Sequence, residues 1–416
     1  MIVPADGQFH VEGRGFGHGR GMSQWGAQGA ALQGVGYRQI LGAYYPGTDL
    51  VAGNKKRRIR VLVTADRDGD LRVAPATGLT ASRGGVKLVL PRRLSGRTVT
   101  AWRVRLEKGQ LELAGRAGTW RRVRVGNPTV TYRPIVLRTV PNRGVRLVLP
   151  TQQRDYRGDL RAYRDPITGR LVVVNGLRLE SYLRSVVPGE SLSTWQPAAL
   201  QAQSVAARTY AMWRTRNAPL AGGTADVCDT TACQVYHGTR RLDLKGRVSK
   251  YWEAASTDRA IRATAGQYLR YAGVPALTEF SASNGGWSTA GDKPYLIARP
   301  DPWDGIAPSR AHSWTRALDV PALSRQFPKT GRVVGLIVRR RDGNGIWGGR
   351  VLSVRVVGER GSQTMTGRTF AKAVGLRHSW WQVRIVPVPS TSPTPVPTPS
   401  GLPIFRGDPR DRIEPR

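Results

Sequence analysis

Between Arg14 and Ala27 the chain reads Arg-Gly-Phe-Gly-His-Gly-Arg-Gly-Met-Ser-Gln-Trp-Gly-Ala, and five of those fourteen residues are glycine. No packing argument requires that mixture. Glycine permits positive φ and lets a backbone approach closely to another group, so this stretch is held to a tight loop. The loop presents His18, Ser23 and Gln24 and runs into a helix near Ser23–Leu32, with Ser23 placed to act as N-cap. A second helical pattern, Tyr37–Tyr44, is stopped by Pro46-Gly47. The spacing is not a dinucleotide fingerprint, which needs Gly-x-Gly-x-x-Gly after a strand, and no phosphate-loop lysine follows.

Beyond residue 50 the pattern changes. Arg58–Val63, Val99–Arg105 and Arg121–Val125 alternate apolar residues with arginine, as strands with one wet face do. Residues 51–150 therefore read as a β-rich basic domain inserted after the 1–50 segment. Tyr163–Val174 reads as a hairpin turning at Asp165, Pro166 and Gly169. A short helix, Leu179–Val187, is expected to end at Pro188-Gly189. Pro197 then suits the first turn of a longer helix, Pro197–Thr215, where its missing N–H costs nothing. More helix is expected over 247–266 and 367–374, with strands over 332–357. Residues 386–416 are rich in Pro, Ser and Thr and then charged, a composition that buries no core and reads as a disordered linker and tail.

Lys and Arg total 65 against 28 Asp and Glu, a formal net charge of +37. Arginine codon usage is one source of that excess; attraction to a polyanion is the other. No run of about 18 apolar residues exists, and no export signal is visible at the N-terminus. The strand-alternating arginines match no nucleic-acid motif, so a nucleic-acid partner is not favoured. The two cysteines, Cys228 and Cys233, leave no thiol over and read as a short-loop disulfide of an oxidising compartment. A zinc site adding His237, with Asp226 or Asp229, is the alternative and is not favoured, because the usual short Cys and His spacings are absent.

Arg14–Ala27 with Tyr44-Tyr-Pro-Gly-Thr48 resembles the glycine motif of the SpoIID/LytB family, sporulation and cell-wall proteins. Leu179–Glu190 followed by Ala199–Tyr210 resembles the same family's core, and Cys233–Gly238 and Ser281–Ser288 are weaker matches. The resemblance implies an α+β fold: a SpoIID-like mixed core over 151–385, carrying the inserted all-β domain. It also implies cleavage of peptidoglycan glycan strands as a lytic transglycosylase, outside the cell or on its wall, with anionic wall polymers and a cell-wall amidase as further partners. The alternative is a non-catalytic, wall-binding enhancer of such an amidase.

The family's catalytic glutamate maps onto Glu190. A carboxyl at a cleft mouth can protonate a glycosidic oxygen if its pKa is raised. Ordinary hydrolysis uses a second carboxylate. A lytic transglycosylase needs one, because the muramic C6 hydroxyl attacks its own C1, and the block around Glu190 offers no obvious second carboxylate. Without the resemblance, Glu190 reads as a solvated loop residue or a helix-terminal carboxylate. The resemblance further implies that Gln203, Arg208 and Tyr210 line or support the cleft. Arg208 then binds an anionic sugar group and Tyr210 stacks on a pyranose; alternatively Arg208 pairs with a core carboxylate and Tyr210 packs inside. His18, Ser23 and Gln24 stand as substrate contacts, against hydrogen-bonding and capping roles for His18 and Ser23. Ser283, Gly285 and Gly286 offer backbone donors to sugar hydroxyls or form a tight turn. No Gly-x-Ser-x-Gly elbow appears, although spacing alone leaves a Ser-His-Asp triad open.

Overall fold

The computed structural model describes residues 6–66, 68–127, 133–140 and 144–384; the expected tail over 386–416 lies outside them. The architecture is mixed α+β. The expected helices form as α1 (Gln24–Leu32) and α2 (Tyr37–Tyr44). They are followed by α3 (Leu179–Glu190), α4 (Pro197–Asn217), α5 (Ala255–Ala263), α6 (Val320–Gln326) and α7 (Gly367–Ala373). Among the described residues no helix is long and apolar enough to cross a membrane.

Two antiparallel-dominated sheets form the body. One runs in the order Val227–Cys228, Arg58–Leu62, Leu171–Arg178, Asp159–Arg164, Ile135–Arg138, Thr80–Arg83, Val86–Val89. The other joins four strands between Asp70 and Val123 to Val145–Val148, Gln153–Tyr156, Arg240–Leu242 and Val248–Tyr251. The β-rich stretch thus shares both sheets with the segment after it. Val145–Val148 pairs directly with Gln153–Tyr156, across the expected boundary at 150. Period-2 patterning tells each strand which face to bury but says nothing about which partner supplies the next strand. Ile59, Val61, Trp102, Val104, Leu137 and Leu160 from the two sheets share one core with Leu183 and Val187 of α3.

Two local expectations change. The helix expected to stop at Pro188 continues through it to Glu190. Proline removes a donor, but its fixed φ is helical, and Ser191 N–H closes the last turn on the Val187 carbonyl at 2.9 Å. Within 247–266, Val248–Tyr251 is an edge strand on Arg240–Leu242, and helix begins only at Ala255.

α4 is buried on most sides, and its small residues let α1, α2, α3 and α5 pack around it. A third unit closes over the N-terminal strand: Gln8–Arg14 pairs with Ser313–Asp319 on one side and Trp381–Arg384 on the other. The glycine loop therefore passes between the α4 bundle and this C-terminal unit.

Candidate active site

The loop leaves its strand at Arg14 and crosses Ser281–Ser283. Gly17 has φ +109°, and a Cβ there would lie 2.6 Å from Ser281 Cβ, so the position accepts only glycine. Gly19 N–H reaches Ser281 Oγ at 3.2 Å. Met22–Ser23 then pairs in parallel with Phe280–Ser281. Ser23 Oγ accepts from Gly26 N–H at 3.0 Å as the α1 cap, which sets Gln24 at the first turn, facing α3.

These elements enclose a cleft of about 680 Å³ lined by Phe16, Gly17, His18, Arg20, Gln24, Glu190, Tyr210, Glu279, Phe280 and the Thr231–Cys233 loop. Glu190, the last residue of α3, opens into it. Its Oε1 accepts the Val235 N–H at 2.7 Å, and the Gln24 side chain also hydrogen-bonds the carboxylate. Burial raises the Glu190 pKa above the ordinary carboxylate value, with those two hydrogen bonds opposing it in part. Its place at the C-terminal end of α3, the negative end of the helix dipole, acts in the same direction as burial. Gln203 stands behind: its Oε1 accepts from Gln24 Nε2 at 3.4 Å, so it supports Gln24 and does not line the cleft.

Glu279 is a second carboxylate on the lining, unmarked in the sequence. Arg20 holds it through two hydrogen bonds, Nε to Oε2 at 2.7 Å and Nη2 to Oε1 at 2.6 Å. Burial pushes its pKa up, but the Arg20 hydrogen bonds and charge outweigh it and hold the carboxyl below the ordinary value. Glu190 has no cationic partner among the described residues, so the two carboxyls are driven apart in pKa. His18 Nδ1 accepts the Arg20 N–H at 3.0 Å. Burial, then the Arg20 charge, lowers its pKa to about 4, so the ring is neutral in the physiological range. Tyr210 lines the cleft edge-on to Phe280, with ring centroids 6.4 Å apart.

Other expected contacts lie elsewhere. Arg208 is 1% exposed and binds Glu180 through two hydrogen bonds of 2.8 Å; a guanidinium so enclosed reaches no sugar. Ser23, Ser283 and Gly285 turn inward to Asp304. That carboxylate accepts from Ser23 Oγ at 3.0 Å, Ser283 Oγ at 2.8 Å, Asn284 N–H at 2.7 Å and Gly285 N–H at 2.9 Å. Gly286 N–H is taken by Asn284 Oδ1 at 3.0 Å. The Ser283–Gly286 turn therefore has its donors spent within the protein. His312 Nδ1 lies 3.1 Å from Asp304, and Arg14 Nη1 approaches its Nε2 at 2.8 Å. Arginine only donates, so Nε2 is the acceptor and Nδ1–H points to Asp304. Ser283 contacts the carboxylate, not the imidazole, and the three residues are not wired as a catalytic triad.

Cys228 and Cys233 are joined by a disulfide with Cα atoms 5.5 Å apart. The pair offers no thiolate to zinc. Asp226 is engaged by Arg60 at 2.7 Å, Asp229 by Thr64 at 2.6 Å, and His237 packs tilted against Trp252 at 4.2 Å between centroids. These residues do not fit a zinc site.

Residues 168–271 match the family model described as Stage II sporulation protein. The Amidase enhancer of Bacillus subtilis is 38% identical over 29% of this chain and 15% of its own length. Stage II sporulation protein D of Bacillus amyloliquefaciens is 26% identical over 49% of this chain and 59% of its own. Its Bacillus subtilis counterpart is 29% identical over 32% of this chain and 42% of its own. The matches thus span less than two thirds of each of these relatives. They point to a class of protein named for sporulation and for amidase enhancement. Within it, the matched segments of this chain resemble the SpoIID/LytB family.

Proposed function

We propose that this protein cleaves the MurNAc–GlcNAc backbone of peptidoglycan without water, leaving 1,6-anhydro-MurNAc ends. The observation that carries the reading is the difference between the two cleft carboxyls: Glu190 has its pKa raised and no cation beside it, while Glu279 is locked to Arg20. Protonated Glu190 donates to the glycosidic oxygen. As a carboxylate it then takes the C6 hydroxyl proton while O6 attacks C1, and it returns protonated for the next turnover. The Val235 N–H and Gln24 fix the carboxyl in both states. Glu279, held charged, stabilises positive charge developing at C1 and does not serve as base. Phe16, Tyr210 and Phe280 offer faces for pyranose rings.

The test is mass spectrometry of muropeptides released from intact and amidase-stripped peptidoglycan by the wild type and by Glu190→Gln. Anhydro products that disappear in the variant support the reading, whereas reducing-end products would overturn the waterless mechanism. The 38% identity to a protein named Amidase enhancer favours a second reading, a non-catalytic wall protein that stimulates an amidase. No products, with a partner amidase accelerated equally by wild type and Glu190→Gln, would establish it.

A further inference from the structure

A second hollow, of about 660 Å³, lies outside the family-matched segment, against the N-terminal strand and the C-terminal unit. Arg14, Arg310, Arg377, Trp314 and Trp347 line it. Among the described residues none of the three arginines has a carboxylate partner, and the one acid on the lining, Glu12, is itself 3.4 Å from Arg384. The hollow is therefore strongly cationic between two indole rings.

The two tryptophans are held in place by local backbone. Trp347 has φ +58° and ψ +19°, a left-handed conformation that costs a bulky residue about 1–3 kcal/mol and clusters at functional sites. Trp314 lies across Gly13, where a Cβ would come within 2.1 Å of its ring; any other residue in that strand would displace the indole. The Trp314 Nε1–H is anchored on the Gly15 carbonyl at 2.9 Å. Half-buried indole rings beside guanidinium groups that have no carboxylate partner suit a ring that presents C–H bonds on its face and an acid at its edge.

The hollow adjoins the cleft at one side-chain contact. Arg377 sits over the Phe16 ring, 5.5 Å from its centroid. Phe16 lines the Glu190 cleft and Arg377 lines the second hollow.

We propose that the Trp314–Trp347 hollow is a saccharide subsite for a carboxylate-bearing pyranose, adjoining the Glu190 cleft at the Phe16–Arg377 pair, so that one acidic glycan strand occupies both. This deepens the proposed function and rests on it for the identity of the strand. Carboxylated sugar and polymer phosphate share the same anion chemistry, and the experiment separates them.

Binding is measured by tryptophan fluorescence in the full chain carrying Glu190→Gln, so that nothing is cleaved. The probes are peptide-stripped glycan strands, chitin oligosaccharides of equal length and poly(glycerol phosphate). Peptide-stripped strands are expected to bind at least tenfold more tightly than chitin. Trp347→Ala and Arg310→Ala/Arg377→Ala are each expected to lose about tenfold, with Trp347→Phe restoring part of the loss. The exposed arginine pair keeps the test valid should Trp347→Ala misfold, which circular dichroism reports. Affinity within twofold of the parent in both variants would overturn the proposal. So would poly(glycerol phosphate) binding as tightly, with dependence on the arginines but not on Trp347. Because cleavage is absent from this assay, a wild type that yields no anhydro products would sink the proposed reaction while leaving this result standing.

Discussion

The Val235 backbone N–H donates to Glu190 Oε1 at 2.7 Å, tying the end of α3 to the irregular segment that leaves the Cys228–Cys233 loop. The carboxyl is thus fixed by a backbone group that no side-chain substitution at 235 removes, except proline. Gln24, from the glycine motif, reaches the same carboxylate from the opposite part of the chain.

Glu190→Gln should reduce cleavage by about 10²–10⁴-fold, the range of a general acid–base group. It should also stabilise the fold at neutral pH. The folded Glu190 pKa is raised, so its contribution is full below the unfolded value and is lost as pH rises through the folded one. Melting temperatures of the two proteins should converge below about pH 4 and separate, with the variant higher, toward neutrality.

The rate of the acid step should fall as pH rises through the Glu190 pKa, so its alkaline limb lies above that of an ordinary carboxylate. Gln24→Leu removes a hydrogen bond that lowers this pKa and should move the limb to still higher pH. The same change strips Gln203 of its 3.4 Å partner, costing about 1–3 kcal/mol for a buried polar group left unpaired. A pH–rate profile beside a urea melt reads both effects.

Arg20→Ala should leave the Glu279 carboxylate unpaired in the cleft wall. Breaking a largely buried pair costs on the order of 3 kcal/mol, seen as a lower urea midpoint. Glu279→Gln should reduce cleavage less than Glu190→Gln and still yield anhydro products; reducing-end products only from chains that retain Glu279 would identify it as a base.

Cys228→Ser/Cys233→Ser opens a six-residue loop closed by the disulfide. The chain-entropy cost is about 2 kcal/mol. Thr231 to Cys233 wall the cleft and Val235 follows, so turnover should fall as well. Reduction of the wild type with a small thiol should reproduce both losses in a thermal melt and a cleavage assay.

His18 and His378 both resist protonation in the fold, chiefly through burial, with pKa values lowered to about 4 and about 3. The unfolded chain takes up those protons near pH 6.5, so stability falls as pH drops from 6.5 toward 3. His378→Asn should flatten that slope in melts taken across this range; an unchanged slope would show that the histidines do not set it.

Local sequence carried much of this. Ser23 was legible as a cap, Tyr37–Tyr44 as a helix and Asp165–Gly169 as a turn, because each depends on neighbours a few residues away. Glu190 and Gln24 stood inside recognisable motifs. Glu279, Arg20 and Asp304 left no such mark: a lone Glu, Arg or Asp acquires meaning only from what lies opposite it. Arg208 showed the converse, since a motif position cannot distinguish a guanidinium facing a cleft from one closed on Glu180.

The sequence by itself determined the mixed α+β composition, the glycine loop leading into a capped helix, and the family resemblance through motifs in the first fifty residues and in α3 and α4. Tertiary structure alone decided that strands before and after residue 150 share two sheets, that Glu190 has a raised pKa while Arg20 holds Glu279 ionised, and that Asp304 consumes the Ser283 turn. The reason is physical: capping, turn geometry and strand alternation act over a few residues, whereas desolvation and charge pairing depend on groups that meet only after the chain has folded.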